Sequence, residues 1–107
     1  MRGRQGAHAR VFAALGGSVR LRLVAKLSGG QPHSIAQLTA GSRLTRQAVT
    51  KHLRVLERAG IVRSARAGRE RLFRFDPEPI EDLQKYLQMV SEQWDRALGR
   101  LKSYVEG

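Results

Sequence analysis

Four side chains near the middle of the chain have the types and the spacing needed to recognise the edges of base pairs. They are Arg46, Gln47, Thr50 and Lys51. In the major groove, arginine and lysine bind guanine, glutamine binds adenine, and a threonine methyl group can contact the methyl group of thymine. In a helix these side chains would share one polar face, opposite an apolar face. The pattern predicts a helix that reads double-stranded DNA, and the alternative is an ordinary core helix with a solvated basic face.

The neighbouring segments predict a helix-turn-helix at residues 34–59. Ser34 and Gln37 have the spacing of a capping box, so a short helix should start at this point. Thr45 is the expected cap of the second helix, whose first two turns would enter the groove. Arg54 lies farther along the same helix, where a phosphate contact is expected.

Residues 61–75 change to a two-residue period, which predicts a β-hairpin with a basic tip. Two strands, 61–66 and 71–75, would flank a turn at 67–69, and the phenylalanines of the second strand should pack beneath the hairpin. A basic hairpin after a DNA-reading helix is a wing, which reaches phosphates or the adjacent minor groove. The alternative is an exposed basic turn with no ligand. The arginines nearest the tip are Arg66, Arg69 and Arg71.

The positive charge of the chain is concentrated in the part that contains these elements. The 107 residues include 20 Lys and Arg against 9 Asp and Glu, a formal net charge of +11. Residues 1–76 contain 16 of the basic and 3 of the acidic side chains, whereas residues 77–107 contain 4 and 6. Such an excess favours a polyanionic partner, nucleic acid before an anionic membrane. The length suits a single domain, residues 1–107, with a proline-containing connector at residues 76–79.

In the acidic part of the chain, apolar residues at spacings of three and four predict one long helix over residues 80–105 with a continuous apolar stripe. At about 1.5 Å per residue this helix would be roughly 39 Å long. A domain of this size has little surface with which to cover the stripe, so we expect a homodimer through this helix and a short helix at residues 7–15. The alternative is a helix that closes its own core. The candidate interface residues are Phe12, Leu83, Leu87, Val90, Trp94, Leu98 and Leu101.

Two segments near the start of the chain have more than one interpretation. Residues 18–28 alternate at first and then follow helical spacing, and the glycine pair that follows them favours a helix. Residues 1–6, with Arg2 and Arg4, predict either a disordered arm that touches DNA or a loose terminus.

Residue types that other functions need are missing from the sequence. There is no cysteine, which excludes disulfides and thiolate metal sites. The three histidines share no motif, and His52 falls on the apolar side of its helix, where we expect a packed or boundary residue. We therefore expect no enzyme, no cofactor and no metal site. No apolar run approaches the roughly 18 residues of a transmembrane helix, and no signal peptide is visible, so we expect a cytoplasmic protein that does not bind membranes.

Residues 44–62 closely resemble the helix-turn-helix signature of the ArsR/SmtB family of bacterial repressors. Residues 11–15 and 20–24 are similar to the opening of that family, and residues 68–71 to its wing. The resemblance implies a mainly α fold with a small β-hairpin, in the winged helix-turn-helix order α-α-α-α-β-β-α, and a dimer through the first and last helices. It implies a repressor of an inverted-repeat operator in double-stranded DNA. The implied contacts are the wing arginines and Thr45, Arg46, Gln47, Thr50 and Lys51.

The chain departs from the family pattern where many members bind metals. Residues 34–37 stand in place of paired cysteines, and the last helix has no histidine for a zinc site. Gly17 and Ser18 stand where an aspartate often caps the second helix. We therefore assign the chain to the branch without the known metal sites. Three alternatives stay open for its signal: an unknown inducer ligand, a protein partner or no ligand at all. The alternative function is a non-specific nucleic-acid-binding structural protein.

Overall fold

The computed structural model describes the backbone of residues 2–107 and the side chains of residues 6–107. Within this range the chain has the mainly α, winged helix-turn-helix architecture that the sequence predicts. Its elements are α1 (Arg2–Ala14), α2 (Ser18–Leu27), β1 (His33–Ser34), α3 (Ile35–Thr39), α4 (Arg46–Arg58), β2 (Val62–Ala67), β3 (Glu70–Phe75) and α5 (Glu78–Glu106).

The first helix begins earlier than its apolar spacing predicts. The backbone is already helical from Arg2. The side chains of Arg2 and Arg4 lie outside the described part, so the choice between a DNA-contacting arm and a loose terminus stays a prediction. No apolar residue marks this first turn and a half, which is why the pattern starts at residue 7. Once a helix is nucleated, each further residue adds one backbone hydrogen bond, so it can extend without packing of its own.

The β-sheet has three strands rather than the two of the predicted hairpin. His33 and Ser34 form β1, which pairs antiparallel with Phe73 and Leu72 of β3, so β3 lies at the centre of the order β1-β3-β2. A two-residue strand has no period that a sequence pattern could show. The element order is therefore α-α-β-α-α-β-β-α, with the extra strand joining the helix-turn-helix to the wing.

The turn of the hairpin has two residues, one fewer than the predicted turn at 67–69. Ala67 pairs with Glu70, so the turn consists of Gly68 and Arg69 alone. Gly68 has φ of 63° and the following arginine has no positive φ, which is the pattern of a type II′ turn. Glycine is needed at this position because other residues rarely adopt such a φ.

The ambiguous segment at residues 18–28 forms α2, as the sequence favours. Its cap is Gly17, which makes no side-chain hydrogen bond, so the departure from the family's aspartate leaves this end uncapped by a side chain. The predicted capping box of α3 is present, with Ser34 Oγ accepting from Gln37 N at 3.2 Å and Gln37 Oε1 accepting from Ser34 N at 2.9 Å.

The core lies where all five helices and the sheet meet. Helix α4 contributes Val49, Leu53 and Leu56, the apolar face that the sequence predicts. Phe73 is buried beneath the sheet and Phe75 is half-buried against the same cluster, as expected. The remaining buried apolar residues are Val11, Ala14, Leu23, Leu27, Leu38, Ile61, Val62 and Leu83.

The last helix begins inside the proline connector and projects from the core. Pro79 lies in the first turn of α5, where its missing N–H costs no hydrogen bond. Asp76 Oδ1 accepts a hydrogen bond from Glu78 N at 3.1 Å and helps to start the helix. Of the 29 residues of α5 only Leu83 is buried. Among the described residues, no helix combines the length and the apolar character that crossing a membrane requires.

Candidate nucleic-acid interface

Helix α4 presents its polar side chains to solvent from its first residue onward. Its start is set by Thr45, whose hydroxyl accepts a hydrogen bond from Ala48 N at 3.1 Å. The opposite face of the helix packs into the core, so the polar face cannot turn inward. Thr50 is half-buried on this face, and its exposed residues are Arg46, Gln47, Lys51, Arg54, Glu57 and Arg58.

The two threonines of this segment have different hydrogen-bonding capacity left for a ligand. Thr50 Oγ1 donates to the Arg46 carbonyl at 2.7 Å, so its hydroxyl hydrogen is used within the helix and its methyl group is the part suited to a base. Thr45 uses its oxygen as an acceptor and keeps its hydroxyl hydrogen. Thr45 is therefore suited to donate to a phosphate, whereas Thr50 is suited to an apolar contact.

The register of the wing places two of its predicted arginines side by side. Arg66 and Arg71 are directly paired across β2 and β3, and Arg69 is exposed in the turn. Because alternate residues of a strand face opposite sides, this pair shares a face with Ser64 and Phe73. The same face of the hairpin therefore packs on the core near its base and carries arginines near its tip. Like charges directly opposite each other destabilise a sheet, and a bound anion would relieve the repulsion.

One of these arginines is connected to helix α4 through a hydrogen-bonded chain. Arg71 Nη1 donates to Ser64 Oγ at 3.0 Å, and Ser64 Oγ donates to Glu57 Oε2 at 2.6 Å. Sequence reasoning missed this role for Glu57 and Ser64. The available signal is that Glu57 is the one acidic residue on the basic helix, which indicates a basic or hydroxyl partner nearby.

The other arginines of the sheet lie on its opposite face. Arg63 and Arg74 are cross-strand partners, one residue out of phase with Arg66 and Arg71. Arg63 Nε donates to Asp76 Oδ2 at 2.8 Å, which balances part of the charge on that face. The pair is therefore not part of the surface that the wing tip shares with α4.

His52 has the boundary position that the sequence predicts. It is half-buried, and its Nδ1 lies 3.3 Å from Arg20 Nη1. Arg20 Nε also donates to the Ala14 carbonyl at 2.7 Å, one of the carbonyls that the end of α1 leaves without a helical partner. The contact links three helices inside the fold, away from the exposed polar face of α4.

The predicted interface residues on α1 and α5 are mostly open to solvent in the single chain. Phe12 is 60%, Trp94 64% and Leu98 56% exposed, whereas Leu83 is only 6% exposed and packs in its own core. We refer to the members other than the buried Leu83 as the apolar stripe. They are Phe12, Leu87, Val90, Trp94, Leu98 and Leu101, of which Val90 is half-buried.

The chain is similar to known proteins in both sequence and structure. The model of a family described as a helix-turn-helix domain matches residues 15–65. Over 81 residues the chain is 40% identical to an uncharacterized HTH-type transcriptional regulator, YuzN, of Bacillus subtilis (strain 168). The match covers 70% of this chain and 88% of that relative.

Two solved structures share the fold. An ArsR-like transcriptional regulator from Rhodococcus sp. RHA1 superposes with a TM-score of 0.84 at 31% identity, covering 94% of each chain. The second is the winged helix-turn-helix DNA-binding domain of Mb0332 from Mycobacterium bovis, which is described as homodimeric. It superposes with a TM-score of 0.65 at 22% identity, and the match covers 83% of this chain and 82% of that chain. At that identity the second likeness concerns the fold alone.

Proposed function

This chain belongs to the ArsR-like winged helix-turn-helix transcriptional regulators, and from this membership we propose that it is a dimeric repressor that binds an inverted repeat in an operator. The observation that carries the proposal is the exposed polar face of α4 beside the basic wing tip. Exposed arginine, lysine and glutamine at the start of one helix match the donors and acceptors of the major groove.

The proposed contacts divide into base readers and phosphate binders. Arg46, Gln47, Thr50 and Lys51 lie in the first two turns of α4 and read bases, with Thr50 acting through its methyl group. Thr45 and Arg54 bind phosphates on either side of them. Arg66, Arg69 and Arg71 bind phosphates or the adjacent minor groove from the wing.

The proposed dimer forms when the apolar stripes of two chains pair. Large exposed apolar patches mark interaction surfaces, and several stripe residues are more than half exposed in the single chain. The Mycobacterium bovis domain with the same fold is described as homodimeric, which supports the pairing. A two-fold axis would place the two α4 helices about 34 Å apart, on successive major-groove turns.

Footprinting on the DNA upstream of the chain's own gene tests this function, together with sedimentation of the free protein. Two protected half-sites about one helical turn apart, bound by a dimer, are the expected result. Uniform protection with no preferred site would instead support a non-specific structural nucleic-acid-binding protein, which the basic excess of residues 1–76 favours as the second candidate.

The relatives are described as transcriptional regulators, and we propose that this chain likewise acts by binding rather than by catalysis. In the described residues no three acidic or histidine side chains lie close enough to hold a metal ion. A repressor works in the compartment that contains its operator, which fits the cytoplasmic location expected from the sequence.

A further inference from the structure

A cleft of about 540 Å³ lies between α2 and the turn that joins α3 to α4. Its floor is apolar and includes the buried residues Leu23, Leu38 and Val49, with Val19 and Leu44 half-buried beside them. A volume of this size is in the range of small-molecule sites. The cleft lies apart from the apolar stripe on α1 and α5.

The rim of the cleft is positively charged. Arg22, Lys26 and Arg43 line it and are exposed, and none of them has a carboxylate within salt-bridge distance in the part of the chain that the structure describes. Lys26 Nζ makes only a long contact of 3.4 Å with the Leu38 carbonyl. Three cations around an apolar floor match a ligand with one anionic end and an apolar body. A DNA phosphate would match the rim and leave the floor unused.

We propose that this cleft binds a small amphipathic carboxylate of the medium-chain acyl type, and that the bound carboxylate lowers the affinity of the protein for its operator. The carboxylate lies among the three cations and the chain covers the apolar floor. The binding site stands on the geometry of the cleft alone, whereas the effect on DNA rests on the proposed function.

The position of the cleft supplies the reason for this coupling. Leu38 and Val49 belong to the two helices of the helix-turn-helix, and the turn between them lines the cleft at residues 41–44. Arg43 is two residues before Thr45, the cap of α4. A carboxylate at Arg43 would neutralise positive charge beside the end of α4 that approaches DNA. The bound ligand would also contact the turn that orients this helix.

Binding is tested on the intact protein without DNA, by titrating the isotope-labelled chain with decanoate and following its amide NMR signals. We expect saturable shifts confined to the residues around the cleft. Decyltrimethylammonium has the same tail with the opposite charge, and acetate has the same head without the tail, so both should bind at least tenfold more weakly. The double variant Arg22→Gln/Lys26→Gln should also bind decanoate at least tenfold more weakly.

A matched control removes two charges elsewhere. Arg10→Gln/Lys85→Gln changes two exposed cations on α1 and α5 and should bind decanoate as the original chain does. Equal loss in both double variants, equal binding of acetate or of the cationic detergent, or shifts centred on Phe12 and Leu87 would each overturn the site.

The effect on DNA is measured by fluorescence anisotropy with a duplex from the chain's own upstream region. Decanoate should lower operator affinity at least tenfold in the original chain and in the control, and much less in Arg22→Gln/Lys26→Gln. Localised binding with unchanged operator affinity would overturn the coupling while supporting the site. Failure to bind any operator in the absence of decanoate would overturn the proposed function, and the DNA-free titration would still decide the site.

Discussion

Ser64 of the wing donates a hydrogen bond of 2.6 Å to Glu57 of helix α4 and accepts one of 3.0 Å from Arg71. One hydroxyl thus joins the helix proposed to read bases to an arginine proposed to bind phosphate. Glu57 is the only acidic residue of α4 and would repel the DNA backbone, and the hydrogen bond from Ser64 occupies one of its carboxylate oxygens. The wing and the helix are therefore expected to meet DNA as one unit.

Removing this hydroxyl should weaken DNA binding more than it weakens the fold. Ser64→Ala removes the acceptor that holds Arg71 and the donor to Glu57, so operator affinity should fall about threefold to tenfold. An exposed hydrogen bond contributes only about 0.5–1.5 kcal/mol to stability, so the melting temperature should change little. Anisotropy and thermal unfolding measure the two effects, with Ser91→Ala on the exposed face of α5 as the control. Equal DNA affinity for both variants would contradict the proposed link.

Gln47 and Arg54 should respond differently to a change of operator sequence. Gln47→Ala removes a base contact and should relax the preference at one base pair of each half-site, at a cost of about 1–3 kcal/mol on the preferred base. Arg54→Ala removes a phosphate contact, so it should weaken all sequences alike and lower the slope of log affinity against log salt by about one. Anisotropy on single-substitution operators over a salt series separates them. A uniform loss for Gln47→Ala would place it among the phosphate binders.

The two faces of the wing provide a matched pair of arginine variants. Arg66 lies on the face shared with Arg71, whereas Arg74 lies on the opposite face, and both side chains are exposed. Arg66→Ala should weaken operator binding and lower the salt slope by about one, while Arg74→Ala should leave both unchanged. Because the two variants lose the same charge, a general electrostatic effect would affect them equally and would contradict the proposed orientation of the wing.

A charge placed on the apolar stripe should separate the dimer. Leu98→Glu puts a carboxylate on a residue that is 56% exposed in the single chain, where burial against a partner would be costly. Sedimentation should show a monomer, operator affinity should fall at least a hundredfold, and Trp94 fluorescence should shift to the red. Arg96→Glu, two residues away on another side of α5, should remain a dimer. A monomer for the unsubstituted chain would contradict the proposed assembly.

Two glycine-to-alanine changes should have opposite effects on stability. Gly60 follows Ala59, the C-cap of α4, and has φ of 79°, so Gly60→Ala should cost about 1–2 kcal/mol in the free energy of unfolding. Gly99 lies inside α5, and no atom lies within 4 Å of the place that an alanine methyl group would occupy. Gly99→Ala should therefore stabilise the chain by about 0.5–1 kcal/mol. Urea unfolding at fixed protein concentration measures both. A loss of stability for Gly99→Ala would indicate that a partner chain approaches that position closely.

Local sequence patterns by themselves determined the elements that are proposed to bind DNA. The polar and apolar faces of α4, its cap at Thr45 and the capping box at Ser34 and Gln37 all depend on residues within a few positions of one another. The wing was predictable for the same reason, because a two-residue period around Gly68 is a local signal. The roles of the nine predicted DNA contacts remain predictions.

Only the tertiary structure decided the relationships between distant segments. The pairing of His33 with Phe73, the burial of Leu83 in its own core, and the chain from Glu57 through Ser64 to Arg71 all depend on how elements pack. A helical or strand period reports which face of an element is apolar, but it contains no information on which other element covers that face. For the same reason the cleft beside α2 appears only when the helices are assembled.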